Sequence, residues 1–149
     1  MFNAEEYFAL VEDRLRSTKD AEVTSFGPIV TPNWDRWEVI LWRGKIEWLK
    51  RDEVLQIVDG WSRKRRAQVM HDFSYHFMRT DGECIFRIDS HGEEIPYEGP
   101  CHVHIGPHED QIIEDGDPRL REYSLRAVDF EEVFKLVHKH LKGRKLPWD

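Results

Sequence analysis

The segment that decides the fold, residues 71–90, reads HDFSYHFMRTDGECIFRIDS. It contains two runs in which apolar and polar residues alternate, one on each side of the dipeptide Asp81-Gly82. Asp-Gly between two such runs is a strong signal for a β-hairpin. If Asp81-Gly82 forms a two-residue turn, Thr80 pairs with Glu83, and this register assigns every side chain of the hairpin to one of two faces.

The predicted register separates an apolar face from a polar one. The first face receives three cross-strand pairs: Phe77 with Phe86, Tyr75 with Ile88, and Arg79 with Cys84. The opposite face receives two polar pairs: His76 with Arg87, and Ser74 with Asp89. We expect the mostly apolar face to pack against helices, and the polar face to gather an imidazole, a guanidinium, a hydroxyl and a carboxylate.

A second strand-like run, CHVHI at residues 101–105, repeats the alternation. Because successive side chains of a strand point to opposite faces, His102 and His104 share one face, whereas Cys101 and Val103 share the other. If this strand lies beside the hairpin with its apolar side inward, both histidines join the polar face. The predicted cluster then consists of His76, Arg87, Asp89, His102 and His104.

Three uses of such a cluster are compatible with the sequence. Two imidazoles and a guanidinium can cleave RNA without a metal, as a base, an acid and a phosphate-binding group. Alternatively, Asp89, His102 and His104 can ligate a divalent metal ion, because His-x-His places two imidazoles on one side of a strand. The third use is a polar sheet face that meets water or a protein partner.

Helices are predicted at both ends of the chain. Asn3 is a suitable N-cap for a helix from about Ala4 to Ser17, and Asp129 for a second helix that stops before Gly143. The intervening sequence predicts strands at Trp37–Trp42, Ile46–Leu49 and Val54–Val58, with turns at Gly44-Lys45 and Asp59-Gly60. This order contains no β-α-β alternation. It predicts a single α+β domain over residues 1–149, with an antiparallel sheet of about five to six strands and both helices on one face.

Composition limits the choice of partners. The 149-residue chain has a net charge of -7, so a nucleic acid would have to bind a local patch rather than the whole surface. The densest basic run is Arg63, Lys64, Arg65 and Arg66, which is either a solvated strand edge or a nucleic-acid contact. Two cysteines and the lack of a signal-like or long apolar segment predict a cytoplasmic protein that does not enter a membrane. No nucleotide-binding glycine motif is present, and no cofactor is predicted.

Three motifs together resemble the TumE-like toxin family of prokaryotic toxin–antitoxin systems. They are Ser74-Tyr75-His76, Phe86-Arg87-Ile88-Asp89 and His102-Val103-His104, in that order between two terminal helices. The resemblance implies a small cytoplasmic toxin that is neutralised by a cognate antitoxin protein.

Combined with the cluster, the resemblance leads to the prediction of a metal-independent ribonuclease. His102 and His104 are assigned as the acid–base pair, Arg87 as the phosphate-binding residue and Asp89 as the residue that orients them. His76 is a secondary candidate. A non-catalytic protein-binding or regulatory module, and a metal-dependent hydrolase built on the His-x-His pair, are the alternatives.

Overall fold

A computed structural model describes residues 3–32, 37–64, 68–90, 101–126 and 128–149. Within these residues, two α-helices accompany one antiparallel sheet whose seven strands follow chain order. The helices are α1 (Ala4–Arg16) and α2 (Phe130–Leu141). The strands are β1 (Glu22–Pro32), β2 (Trp37–Trp48), β3 (Glu53–Lys64), β4 (Gln68–Arg79), β5 (Cys84–Asp89), β6 (His102–Ile105) and β7 (Gln111–Ile113). The α+β prediction is confirmed, but the sheet has seven strands rather than five to six.

Both helices begin where their capping residues predict. The Asn3 side-chain oxygen accepts a 3.1 Å hydrogen bond from the backbone N–H of Glu6. In the same way, the Asp129 carboxylate accepts a 2.9 Å bond from the backbone N–H of Glu132. Each capping side chain accepts from a backbone N–H that has no partner within the helix. Such a cap stabilises the helix by about 1 kcal/mol.

The two helices pack on the same face of the sheet. Phe8 of α1 stacks on Trp42 of β2 with ring centroids 5.7 Å apart. Phe130 of α2 contacts Tyr75 of β4 at 6.5 Å. All four rings are buried, and they belong to one aromatic-rich core. We call the other side of the sheet the open face.

Two predicted turns are wrong, because both dipeptides lie inside long strands. A Cβ atom at Gly44 would lie only 2.1 Å from the buried ring of Trp42. Glycine at this position therefore makes room for a side chain rather than for a turn. Asp59 is also buried, 2.5 Å from His71 Nε2, and its other oxygen accepts from the hydroxyl of Tyr75 at 3.4 Å. These partners keep the carboxylate inside β3.

Two strands, β1 and β7, lie outside the segments that the sequence predicts as strands. In β1, the pairing with β2 shifts between Phe26 and Ile29, which leaves Gly27-Pro28 outside the regular ladder. β1 is an edge strand of the sheet, where proline is tolerated because one side of the strand needs no hydrogen bonds. β7 follows β6 in the chain and pairs with residues Val103 to Ile105 of that strand.

The hairpin register is confirmed over its central part and is wrong at its tip. The observed pairs are Ser74–Asp89, Tyr75–Ile88, His76–Arg87 and Phe77–Phe86. The loop has three residues rather than two, because the N–H of Arg79 donates to the carbonyl of Glu83 at 2.8 Å. Cys84 consequently pairs with Met78 instead of Arg79, and an irregularity at Ile85 restores the predicted register.

Candidate active site on the open sheet face

The strand register aligns polar side chains into two rows across the open face. The first row contains Lys45, Gln56, His76, Arg87 and His104. The second row contains Arg43, Val58, Ser74, Asp89 and His102. Because β6 pairs directly with β5, the structure brings together all five residues assigned to the site from the sequence. We refer to His76, Arg87, Asp89, His102 and His104 as the histidine cluster.

Asp89 lies at the centre of the histidine cluster. Its Oδ1 accepts a 2.6 Å bond from the hydroxyl of Ser74, and its Oδ2 accepts a 2.9 Å bond from Arg87 Nε. The same Oδ2 lies 3.5 Å from His104 Nε2 and 3.7 Å from His102 Nε2. One carboxylate oxygen therefore faces a guanidinium and two imidazoles.

Glu109 is a site residue that the sequence does not reveal. Its Oε2 accepts a 2.6 Å bond from Arg87 Nη1, and its Oε1 lies 2.8 Å from His76 Nε2. Its backbone carbonyl is 3.3 Å from His104 Nδ1. Arg87 is thus held between two carboxylates, those of Asp89 and Glu109.

A tight turn after β6 carries Glu109 onto the open face. The N–H of Glu109 donates to the carbonyl of Gly106 at 3.0 Å. Both residues have positive φ angles, 92° for Gly106 and 59° for Glu109. A non-glycine residue in this region is uncommon, and such residues often occur at functional sites. The sequence signal is Gly106-Pro107 directly after the His-x-His strand, which predicts a chain reversal but does not indicate which acid returns to the sheet.

His76 is a partly buried imidazole of the open face. Burial lowers the pKa of His76, and the nearby charge of Glu109 only partly offsets this effect. Although Nε2 is close to Glu109, it lacks the alignment of a hydrogen bond with any described residue. His76 is therefore expected to be a neutral imidazole that faces an anion.

The two cysteines do not share a location. Cys101 belongs to the hydrophobic core, as predicted, but Cys84 is displaced by the irregularity at Ile85 and is buried near the histidine cluster. Burial raises the pKa of Cys84 to about 11 and that of Cys101 to about 12. Both thiols are consequently protonated at neutral pH, the unreactive form.

Two groups of side chains have the spacing of metal ligands. The first is Asp89, His102 and His104; the second is His76, Cys84 and Glu109, and within each group the ligand atoms lie within 4.8 Å of one another. The ligand atoms of a tetrahedral zinc ion lie about 3.3 Å from one another. The distances from Asp89 Oδ2 to the Nε2 atoms of His102 and His104 are close to this value. However, Arg87 already donates to Asp89 Oδ2, and its positive charge opposes the binding of a cation there.

Arg63, the one residue of the basic run whose side chain is described, does not lie at the histidine cluster. Arg63 is exposed and donates a 2.7 Å bond to Glu38. By strand alternation, Arg63 lies on the same side of β3 as Trp61, which contacts α1 through Tyr7. Lys64 is the last residue of β3, and Arg65 and Arg66 lie outside the described residues.

A groove runs from the histidine cluster along the open face. Its volume is about 570 Å³, and Ser74, His76, Arg87 and Asp89 line its polar end. The other end is formed by apolar side chains of β2 and β3, which include Val39, Leu41 and Val58. The groove therefore combines titratable groups with an apolar wall, which is typical of ligand-binding sites.

The fold and the site define a small α+β protein with an acid–base cluster on one open face of its sheet. The sequence model of the family described as toxin TumE matches residues 36–142, which include both rows of the open face. The chain belongs to this toxin family. No curated protein and no solved structure matches it.

Family membership identifies the chain as a toxin of the toxin–antitoxin class, for which the partner is an antitoxin. Neither described helix has the length and apolar character needed to cross a bilayer.

Proposed function

We propose that the chain is a toxin that cleaves RNA in the cytoplasm without a metal ion. The observation that carries this proposal is the arrangement around Asp89 Oδ2, which lies within 3.7 Å of His102 Nε2, His104 Nε2 and Arg87 Nε. Arg87, His102 and His104 are all partly exposed, so a phosphodiester on the open face can contact them.

The reaction needs no group beyond those of the histidine cluster. One imidazole removes the proton from an RNA 2′-hydroxyl, whose oxygen attacks the adjacent phosphorus. The other imidazole donates a proton to the departing 5′-oxygen as the phosphorus–oxygen bond breaks. The products are a 2′,3′-cyclic phosphate and a 5′-hydroxyl. Arg87 stabilises the negative charge that develops on the phosphoryl oxygens, and Asp89 stabilises the imidazolium that forms.

The test is cleavage of an end-labelled RNA by the purified protein in the presence of EDTA. We expect products with 2′,3′-cyclic phosphate ends and a rate that falls roughly 10²–10⁴-fold in His104→Ala. His108→Ala is the matched control, because His108 is an exposed histidine of the turn after β6 and lies outside the histidine cluster. RNA that stays intact with the wild-type protein would contradict the proposal and favour a non-catalytic binding module.

A metal-dependent hydrolase is the second candidate, which the spacing of Asp89, His102 and His104 favours. It predicts that EDTA abolishes RNA cleavage and that one added divalent ion restores it. Zinc binding measured by calorimetry, with loss of binding in His102→Ala, is the supporting observation. Cleavage that persists in EDTA excludes this candidate.

A further inference from the structure

Beyond the reacting phosphate, we infer that the open face binds single-stranded RNA along a path that crosses β5, β4, β3 and β2 and ends at Phe26 of β1. This inference takes RNA as the ligand from the proposed function. It adds a binding surface, formed by Arg43, Lys45, Val58 and Phe26, that lies outside the histidine cluster.

The two rows extend well beyond the histidine cluster. Four strand-to-strand steps separate His104 on β6 from Lys45 on β2, which is a distance of about 19 Å. This exceeds the size of one nucleotide. A chain bound with its reacting phosphate at Arg87 therefore has room to contact the same face with further nucleotides.

The far end of the two rows carries positive charge. Arg43 is exposed and forms no ion pair with another described residue, so its guanidinium is available to a phosphate. Lys45, its neighbour in the first row, is also exposed, although it contacts Glu47. Gln56 lies between Lys45 and His76 and is exposed as well. Donors thus continue from the histidine cluster to β2.

An exposed aromatic ring lies beside these cations. Phe26 is 64% exposed and pairs with Arg43 on the neighbouring strand. Together with Val58, which is 40% exposed, they line a second cavity of about 330 Å³. Exposed apolar groups next to cations are typical of surfaces that stack single-stranded bases while binding their phosphates.

The direction of the path follows from the acidic residue beside it. Asp72 pairs with Gly60 in the row next to Ser74 and Val58, and it lines the main groove. A carboxylate there repels phosphates, so the backbone follows the two rows that contain Arg43 and Lys45. Bases can then lie over Val58 and Phe26. Bases in a duplex are paired and cannot reach these side chains, which limits the ligand to single strands.

The experiment measures binding without cleavage. The probe is a fluorescent single-stranded RNA with 2′-O-methyl groups, which block attack by the 2′-oxygen, and the readout is fluorescence anisotropy with the full chain. We expect Arg43→Ala and Phe26→Ala each to raise the Kd at least fivefold. Arg43→Ala is also expected to remove about one phosphate contact. The slope of the logarithm of the binding constant against the logarithm of the salt concentration should then become shallower by about 0.7.

Two variants on the helix side serve as matched controls. Lys135→Ala removes an exposed cation from α2, and Leu10→Ala removes an exposed apolar side chain from α1. Neither is expected to change the Kd as much as twofold. Thermal melts of all four variants check that the fold is retained, which is expected because the four side chains are exposed.

The outcomes separate this inference from the proposed function. If the wild-type protein cleaves RNA but Arg43→Ala and Phe26→Ala bind it normally, the path is wrong and the ribonuclease remains. If the variants lose RNA binding but the wild-type protein does not cleave RNA, the path is supported and the ribonuclease fails. If they bind RNA normally but escape neutralisation by the antitoxin, the occupant of this surface is a protein, and the inference is overturned.

Discussion

Glu109 accepts a 2.6 Å hydrogen bond from Arg87 Nη1 and places its second carboxylate oxygen 2.8 Å from His76 Nε2. A phosphate that binds Arg87 has to compete with this carboxylate, because both are anions that use the same donors. Glu109 therefore occupies part of the proposed phosphate-binding site and competes with the phosphate for Arg87. Since it is carried by a turn rather than by a strand, it can be displaced without breaking the sheet.

Replacing Glu109 by glutamine is expected to strengthen RNA binding. The substitution removes the negative charge, and an ion pair that is partly exposed is worth about 1 kcal/mol, which corresponds to about fivefold in Kd. The measurement is the Kd of uncleavable RNA and the KM of cleavable RNA, both of which should fall. Glu114→Gln is the control, since it changes the net charge equally at an exposed position in the segment after β7.

The opposite result has a distinct meaning. If Glu109→Gln lowers kcat by 100-fold or more and leaves KM unchanged, the carboxylate transfers a proton in the reaction. The assignment of the acid–base pair to His102 and His104 would then be wrong.

Substitutions in the histidine cluster are expected to abolish activity while the protein stays folded. His104→Ala and Arg87→Ala remove side chains of the open face rather than of the hydrophobic core, so both variants should stay folded. Arg87→Ala should be the less stable of the two, because it breaks the ion pairs with Asp89 and Glu109, at a cost of about 1 kcal/mol each. Expression of the wild-type chain without its antitoxin should slow bacterial growth, and both variants should relieve this effect. Urea denaturation and growth curves measure the two properties. If both variants unfold, the cluster is structural.

Gly44→Ala is expected to destabilise the protein although it adds only a methyl group. The new Cβ would overlap sterically with ring atoms of Trp42. This ring is fully buried and stacks on Phe8, so the core has to shift. Overpacking of this kind costs about 1–3 kcal/mol. Gly60→Ala is the control, because the nearest atom to its Cβ would be 3.7 Å away. Equal denaturation midpoints for the two variants would contradict this role of Gly44.

The same glycine shows where prediction from sequence stops. Alternation and Asp81-Gly82 give the faces of the hairpin, because side chains in strands follow a period of two. These patterns do not distinguish a glycine that forms a turn from a glycine that makes room for an aromatic ring of the same strand, as Gly44 does. Asp59 misleads for a related reason, since its buried partner His71 lies on the next strand and only the folded register brings them together.

The histidine cluster could be assembled from the sequence, whereas Glu109 could not. His76, Arg87, Asp89, His102 and His104 all lie on strands, where alternation determines the face. Glu109 reaches the cluster through the backbone angles of a turn, and these angles have no periodic signature. The error at Cys84 has a similar origin, because the three-residue loop of the hairpin shifts the pairing at that end only.

The stability of the protein is expected to fall as the pH decreases below about 6.5, in part because of His76. Burial lowers the pKa of His76 in the folded state, whereas the unfolded chain has the ordinary value near 6.5. In this range the unfolded state binds more protons, so protonation favours unfolding, and the stabilising contribution present above pH 6.5 is lost as the pH falls. Glu109 and Asp89 oppose this effect, while Arg87 and His104 add to it.

Comparing the free energy of unfolding of the wild-type protein and His76→Gln across this range isolates the contribution, and the variant should show the weaker pH dependence. His108→Gln, at an exposed position, should follow the wild type. If His76→Gln shows the steeper loss on acidification, the attraction of Glu109 outweighs the burial of His76, and His76 is protonated in the folded protein.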